Sequence, residues 1–281
     1  MKAIALMVLL FSFAISARSE WKNGGQSQKI SVVKFGTHDW ILWKAYLIAE
    51  DHTDLEWLDE NINYAFFGTE VPDVGKKKLS VSFRNQIIGN YKDTSPCHCV
   101  LYDDDFEVFQ PFAATRVTAE FQKAKDAIAQ EKWKLAAFYI GAMAHYVGDV
   151  SQFMHLMGRD SRWNSGEPED QTIHAAYETV FENRVDFMDR SLNLLEPFIS
   201  EIAITGNTPE SILYEVAAYT DTGNSTAQDT GWMYDQIMIY KTKGWVKKPE
   251  KWDPKFLDQS GKNVNKAVNA LAKLLIMVNV P

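Results

Sequence analysis

The chain has 281 residues, 46% hydrophobic and 13% aromatic, which is enough apolar material for a sizeable core and too much for a disordered chain. Lys and Arg number 29 against 37 Asp and Glu, and this net charge of −8 argues against gripping duplex nucleic acid on a basic face. It leaves open a site that neutralises phosphate with metal ions, and six histidines are few enough to place one by one.

At the N-terminus, Lys2, an apolar run from Ala3 to Ile15 and the small residues Ser16, Ala17 and Ser19 read as a secretory signal peptide. The run is too short to span a bilayer. Residues 1–20 are assigned to the signal and 21–281 to one mature domain, secreted or held in the lumen of the secretory pathway. The small-residue rule places cleavage just before Glu20, with Ala17 as another cut point, so Trp21 becomes terminal only after further trimming.

Apolar residues then recur at helical spacing in residues 40–50, 114–130, 133–150, 172–195, 210–219, 231–242 and 263–278. Loops are expected at Gly24-Gly25, 72–78, 94–96, 160–170 and 205–209, with the Lys76-Lys77-Lys78 triplet in a solvated loop. Only short pieces near residues 79–83 alternate in the manner of a strand. The expected architecture is all-α, a single multi-helix bundle domain. Of the tryptophans, Trp163, Trp232, Trp245 and Trp252 are candidates for a membrane surface or for base stacking, with the core as the better reading for most.

Cys97 and Cys99 flank His98. A bridge between residues i and i+2 would be strained, and no second cysteine pair exists to complete a thiolate zinc site. In an extended segment both thiols would point opposite to His98, as its structural or redox neighbours. Asn224-Ser225-Thr226 is a glycosylation sequon in a polar loop.

The chemistry concentrates on the helix over 133–150. His145 and Asp149 stand four residues apart, hence on one face, while Ala136, Ile140, Gly141, Ala144 and Val147 make the helix central. An inward histidine and carboxylate need compensation, from a metal or from a private hydrogen-bonded pair. His155 follows six residues after Asp149, and His174 with Glu178 repeats the four-residue spacing on the next helix. Imidazoles paired with inward carboxylates on facing helices are how a bundle builds a multi-metal site, and a set of nitrogen and oxygen donors without thiolate fits zinc.

The stretch Phe138-Tyr139-Ile140-Gly141 leading to His145-Tyr146-Val147-Gly148-Asp149-Val150-Ser151-Gln152-Phe153-Met154-His155 resembles the core motif of the zinc-dependent phospholipase C family, whose fold the secreted single-strand-specific zinc nucleases share. Phe153 stands where the family usually carries Pro. The resemblance implies a zinc cluster assembled in chain order. It pairs Trp21, through its terminal amine and carbonyl, with His38 and Asp149 on one zinc. Asp73, His98, His145 and Asp149 hold a second zinc, and His155, His174 and Glu178 a third. Asp149 then bridges two metals, and Glu70 is the alternative to Asp73 as the loop carboxylate. His52 is left as a surface spare, and Asp39 as a helix-cap carboxylate. In the lipase branch the carboxylate matching Asp73 is also a candidate general base.

For function, the resemblance implies hydrolysis of the glycerol–phosphate bond of phospholipids, with the membrane surface as partner, three zinc ions and a monomeric chain that forms no stable nucleic-acid complex. The alternative is a single-strand-specific zinc endonuclease or 3′-nucleotidase, and a third reading is a non-catalytic zinc- or membrane-binding bundle. Glu178, where the nucleases usually carry Asp, and the long spacer from Trp21 to His38 resemble the lipase branch. Val74 stands where the lipases often have a choline-holding Tyr, so headgroup preference is not carried over.

Overall fold

The computed structural model describes residues 36–76, 79–93, 95–102, 107–159, 177, 194–224, 231–246 and 248–279. Trp21, Trp163, His174, Glu178, the signal segment and most of the helix expected at 172–195 lie outside the described residues. Within them the chain is mostly helical, as its periodicity implies. The helices are α1 (Thr37–Ala49), α2 (Glu56–Asp59), α3 (Ile62–Val74), α4 (Val81–Arg84), α5 (Phe112–Ile128), α6 (Trp133–Asp149), α7 (Pro209–Asn224), α8 (Trp232–Thr242) and α9 (Pro254–Val278). One small antiparallel hairpin joins β1 (Leu101–Tyr102) to β2 (Val108–Gln110). Among the described residues no helix is long and apolar enough to cross a membrane.

Helix α6 is the axis of the bundle. Every residue from Leu135 to Asp149 is buried, because its sequence is apolar or small all round rather than along one stripe. Helices α3 and α5 pack most extensively against it, while α1 lies on α9 and α7 bridges α5 and α9. The approach of α3 to α6 depends on two glycines. A Cβ on Gly141 would stand 1.8 Å from the Ala65 carbonyl oxygen, and one on Gly68 2.2 Å from that of Phe138. Backbone therefore meets backbone at the crossing, directly behind the candidate site.

Four expectations need correction. Residues 72–78 do not form a loop from Pro72 onward, because α3 runs through Pro72 and Asp73 to Val74. Pro72 costs the helix one backbone donor but comes in its last turn, and the helix stops at Gly75, whose φ of +73° favours glycine. The Pro72 carbonyl instead accepts from Lys92 N–H (3.0 Å) and Asp93 N–H (2.7 Å). Residues 81–84 are helical rather than strand-like, with the Ser80 hydroxyl accepting from Phe83 N–H. Helix α9 starts nine residues before the expected 263, at Pro254, with the Asp253 carboxylate accepting from Lys255 N–H at 2.8 Å. Asn224 is the last residue of α7, not part of a loop.

Trp232 and Trp252 are buried and Trp245 packs against the core, so these three are structural. Phe153, the departure from the family motif, is fully buried and meets the Tyr177 ring edge-on at 5.2 Å. His52 is exposed and pairs with Glu201 at 3.1 Å, as expected of a surface histidine.

The segment at 199–206 runs along α9 without a strand partner. Its backbone is satisfied by side chains: Ser200 N–H donates to Asn265 Oδ1 (3.1 Å) and Ile202 N–H to Asn269 Oδ1 (2.9 Å). Its far end is tied by Glu215, which accepts from the Thr205 and Gly206 amides and pairs with Lys266 Nζ at 2.6 Å. Burial works against the Glu215 charge, but the Lys266 and backbone donors prevail and hold its carboxyl at about 2, below the usual 4.5. A depressed carboxyl stabilises the fold above the unfolded value and loses that contribution as pH falls from about 4.5 towards 2. Glu215→Gln is therefore expected to cost about 1 kcal/mol near neutral pH, discounted for solvent screening, and almost nothing near pH 2. Urea unfolding across that range checks it.

Candidate metal centre

Six of the residues expected in the site fall within the described residues, and they converge from separate elements. His38 is the second residue of α1, and Asp73 lies in the last turn of α3. His98 ends a 3₁₀ turn (Ser95–His98), His145 and Asp149 lie on α6, and His155 sits in the 3₁₀ turn Phe153–Arg159 that follows it. All six are buried, with Asp73 the most exposed at 8% and Asp149 fully enclosed. Glu70, one turn before Asp73, is buried on the same side of α3.

Asp149 is the hub. Its Oδ2 lies 2.8 Å from His98 Nδ1 and 3.1 Å from His145 Nε2. Its Oδ1 faces His38 Nε2 at 3.4 Å and His155 Nε2 at 3.9 Å. Asp73 Oδ1 completes the near side, 3.1 Å from His145 Nε2 and 3.8 Å from His98 Nε2. Each carboxylate oxygen of Asp149 thus addresses a different pair of imidazoles. The His38 and His145 rings stack at 4.4 Å, so two nitrogen-bearing rings are stacked side by side in the protein interior.

The geometry suits cations better than hydrogen bonds alone. Two ligands held at 2.0–2.1 Å by one tetrahedral zinc stand about 3.3 Å apart, and most of these separations cluster around that value. Asp149 Oδ1 and His98 Nε2 make no hydrogen bond despite full burial, which leaves donor atoms directed into the cluster. The atoms of His38, His145 and Asp149, and those of Asp73, His98 and His145, form two groups within 4.8 Å. His145 belongs to both. Without a metal the charges settle among themselves. Burial opposes a proton on His145, yet Asp149 and Asp73 outweigh it and hold its pKa well above the ordinary value. Burial likewise opposes the Asp149 charge, but His145 and His155 hold its pKa well below the usual carboxylate range. Burial and the neighbouring His145 charge push His38 down, towards the neutral imidazole that a metal needs.

The supporting shell was not legible in residue spacing. His145 Nδ1–H donates to the Thr69 carbonyl at 2.8 Å, which directs Nε2 at the carboxylates. The Thr69 hydroxyl donates to Asp39 Oδ1 (2.7 Å), and Asp39 Oδ2 accepts from Gly36 N–H (2.8 Å). Asp39 is thus the cap carboxylate expected, and it also binds α1 to α3 behind the site. Burial raises its pKa to about 7. On the other side the Tyr146 ring lies 5.6 Å from His98, and its hydroxyl is held by Asp93 and by Arg116 Nε at 3.0 Å. Cys97 and Cys99 form no disulfide among the described residues; Cys97 lies in the 3₁₀ turn that His98 ends, and Cys99 follows it directly. Cys99 Sγ lies 3.8 Å from His155 Nδ1, and burial, with help from Asp149, pushes its thiol up to about 12. Among the described residues, the two groups of clustered ligand atoms contain nitrogen and oxygen donors and no sulfur.

Residues 37–212, more than half of the chain, match the family described as zinc dependent phospholipase C. Among solved structures, the alpha toxin from Clostridium absonum matches with a TM-score of 0.52 at 15% identity, over 91% of this chain and 66% of that one. The alpha-toxin of Clostridium perfringens isolated from avian strain SWCP gives 0.42 at 17% identity, over 92% and 65%. The chain spans just under two thirds of the length of these relatives, and at such identity the first match shows the shared fold alone. No curated protein sequence matches significantly. The family match covers all six convergent residues, from His38 to His155, and on it the chain belongs to the zinc-dependent phospholipase C family.

Proposed function

We propose that this protein is a secreted phospholipase C that hydrolyses the glycerol–phosphate bond of phospholipids at a three-zinc site. The observation that carries the reading is Asp149, whose two oxygens face different imidazole pairs in a buried cluster of His and Asp side chains. Asp73, His98, His145 and Asp149 are assigned to one zinc, His38 and Asp149 with Trp21 to another, and His155 with His174 and Glu178 to the third. The signal peptide over residues 1–20 belongs to the same proposal, since it delivers the chain outside the cell and frees the Trp21 end after trimming.

Zinc bound there supplies the positive charge that draws in a phosphodiester and the acidity that lets water attack near neutral pH. The chain's own residues orient and exclude. Asp149, fully enclosed, holds the imidazoles in place, and the Thr69 carbonyl fixes the ring of His145. Asp73 alone among the two cluster carboxylates keeps contact with solvent, so its carboxylate is the one placed to accept the proton of an attacking water. As the water oxygen bonds to phosphorus, the bond from phosphorus to the glycerol oxygen breaks and that oxygen takes up a proton, returned by Asp73 or solvent, giving diacylglycerol and the phosphorylated headgroup.

Asp73→Asn is expected to lower turnover by at least about 100-fold while most of the zinc stays bound, which separates a proton acceptor from a mere ligand. Steady-state kinetics with zinc analysis of the same preparation checks it, and unchanged turnover transfers the role to Glu70. Phosphatidylcholine vesicles and single-stranded RNA are to be assayed side by side with the wild-type chain. Diacylglycerol release is the expected result. RNA cleavage without it would overturn the lipase reading in favour of the nuclease.

A further inference from the structure

In this acidic chain, residues 75–92 carry five Lys or Arg and no Asp or Glu. Lys77 and Lys78 lie outside the described residues and enter only through that count. The same segment contains the two most exposed large aliphatic side chains among the described residues, Ile88 at 67% and Val81 at 61%. Isolated exposed aliphatics are ordinary, but here two of them coincide with a stretch that carries basic residues and no acid.

The segment is sorted by side. Leu79, Phe83, Ile87 and Tyr91 turn inward, Phe83 against Tyr64 (5.2 Å) and Phe138 (5.8 Å) and Tyr91 against Phe138 (5.7 Å). Val81, Arg84, Ile88 and Lys92 are left outward or at the margin. The backbone is held rather than loose. Ile88 N–H donates to the Tyr139 hydroxyl at 2.8 Å, Lys76 Nζ reaches the Ile87 carbonyl, and Lys92 N–H returns to Pro72 beside Asp73. Two acids beside the segment are already engaged, Asp93 by Arg116 and Tyr146, and Glu120 by Lys123 and Tyr91. Arg84 and Lys92 form no ion pair among the described residues, so their charges stay available to a partner.

We propose that the described residues of the 75–92 segment form a docking face for an anionic lipid surface, with Val81 and Ile88 entering the headgroup layer and Arg84 and Lys92 pairing with lipid phosphates. The choice of a lipid partner rests on the phospholipase reading above. The physics is that of peripheral membrane binding: cations collect at a negative surface and small apolar side chains anchor the contact, and neither is strong alone. Since the segment begins two residues after Asp73 and folds back onto Pro72, docking there brings the bilayer to the edge of the metal centre.

The test uses the full-length secreted protein with its zinc, cosedimented with vesicles of phosphatidylcholine alone or doped with phosphatidylglycerol. Hydrolysis of a short-chain phosphatidylcholine dissolved as monomer is measured in parallel. Arg84→Gln with Lys92→Gln is expected to weaken binding to the doped vesicles by at least about tenfold, and Val81→Asp with Ile88→Asp to weaken binding to both kinds. Monomer hydrolysis should stay at the wild-type rate, which also shows that both variants fold. Binding to doped vesicles should fall as salt is raised. Vesicle binding indifferent to both variants, with monomer still hydrolysed, overturns the docking face and leaves the phospholipase reading intact. Vesicle binding lost in the variants, with no lipid hydrolysed by any form, supports the docking face and removes the phospholipase reading. Capture of single-stranded RNA by the same residues, with vesicles ignored, overturns the docking face as well.

Discussion

Asp149→Asn is expected to abolish activity, lowering it by at least about 1,000-fold, and to strip more than one zinc from each chain. The size of the effect follows from position. No other described residue touches four of the histidines, and its two oxygens serve different pairs. An amide keeps the shape but offers one uncharged acceptor oxygen and an NH2 group with two donors, so two imidazoles would face N–H where they now face charge. The same substitution should also destabilise the metal-free protein, because Asp149 is what makes a proton on His145 tolerable in the interior. Removing one partner of a buried charged pair costs about 3–5 kcal/mol. Zinc content and thermal unfolding in chelator, measured on the same variant, separate the two effects. A variant with full zinc and wild-type turnover would remove Asp149 from the centre.

Gly141→Ala is expected to lower the unfolding temperature by about 10 °C and to impair zinc binding as well. An alanine in the middle of a helix ordinarily stabilises it by about 1 kcal/mol over glycine. Here the sign reverses, because the added carbon would stand 1.8 Å from the Ala65 carbonyl oxygen, a backbone atom that cannot rotate away. Helices α3 and α6 must separate, at a net cost of about 3 kcal/mol. Separation also draws Asp73 on α3 away from His145 on α6, now 3.1 Å apart. Gly148→Ala is a useful contrast. Its Cβ would meet His38 Nδ1 at 2.5 Å, a side-chain atom, so the strain falls on the metal centre rather than on the helix crossing. Calorimetry of the two variants checks the distinction.

The helical bundle was legible because most of its helices carry plain apolar periodicity, and α6 in particular announces itself as buried all round. The histidines were legible in order because four-residue spacing places His145 and Asp149 on one face whatever surrounds them. What escaped did so for physical reasons. Helix α3 was hidden by Pro72 and the lysines after it, which normally mark a loop, although here the proline falls in the last turn. The first turns of α9 were hidden because, after Phe256 and Leu257, their buried face continues through Ser260, Gly261 and Asn263 rather than aliphatics. The hairpin of β1 and β2, two and three residues long, is below the length at which alternation can be read. Thr69 orients His145 through a backbone carbonyl, and a carbonyl leaves no trace in residue type. The outward placement of Val81 and Ile88 is not legible either, since residue type alone does not tell an exposed aliphatic from a buried one.

The central claim is that the buried histidine–carboxylate cluster is a zinc centre built from nitrogen and oxygen donors, with Cys97 and Cys99 beside it but not in it. X-ray absorption at the zinc edge of the purified protein tests this most directly. The expected spectrum shows zinc bound to the chain with a first shell of light donors at about 2.0–2.1 Å and no sulfur. A chain that holds no zinc, or a first shell with sulfur at about 2.3 Å, would contradict it.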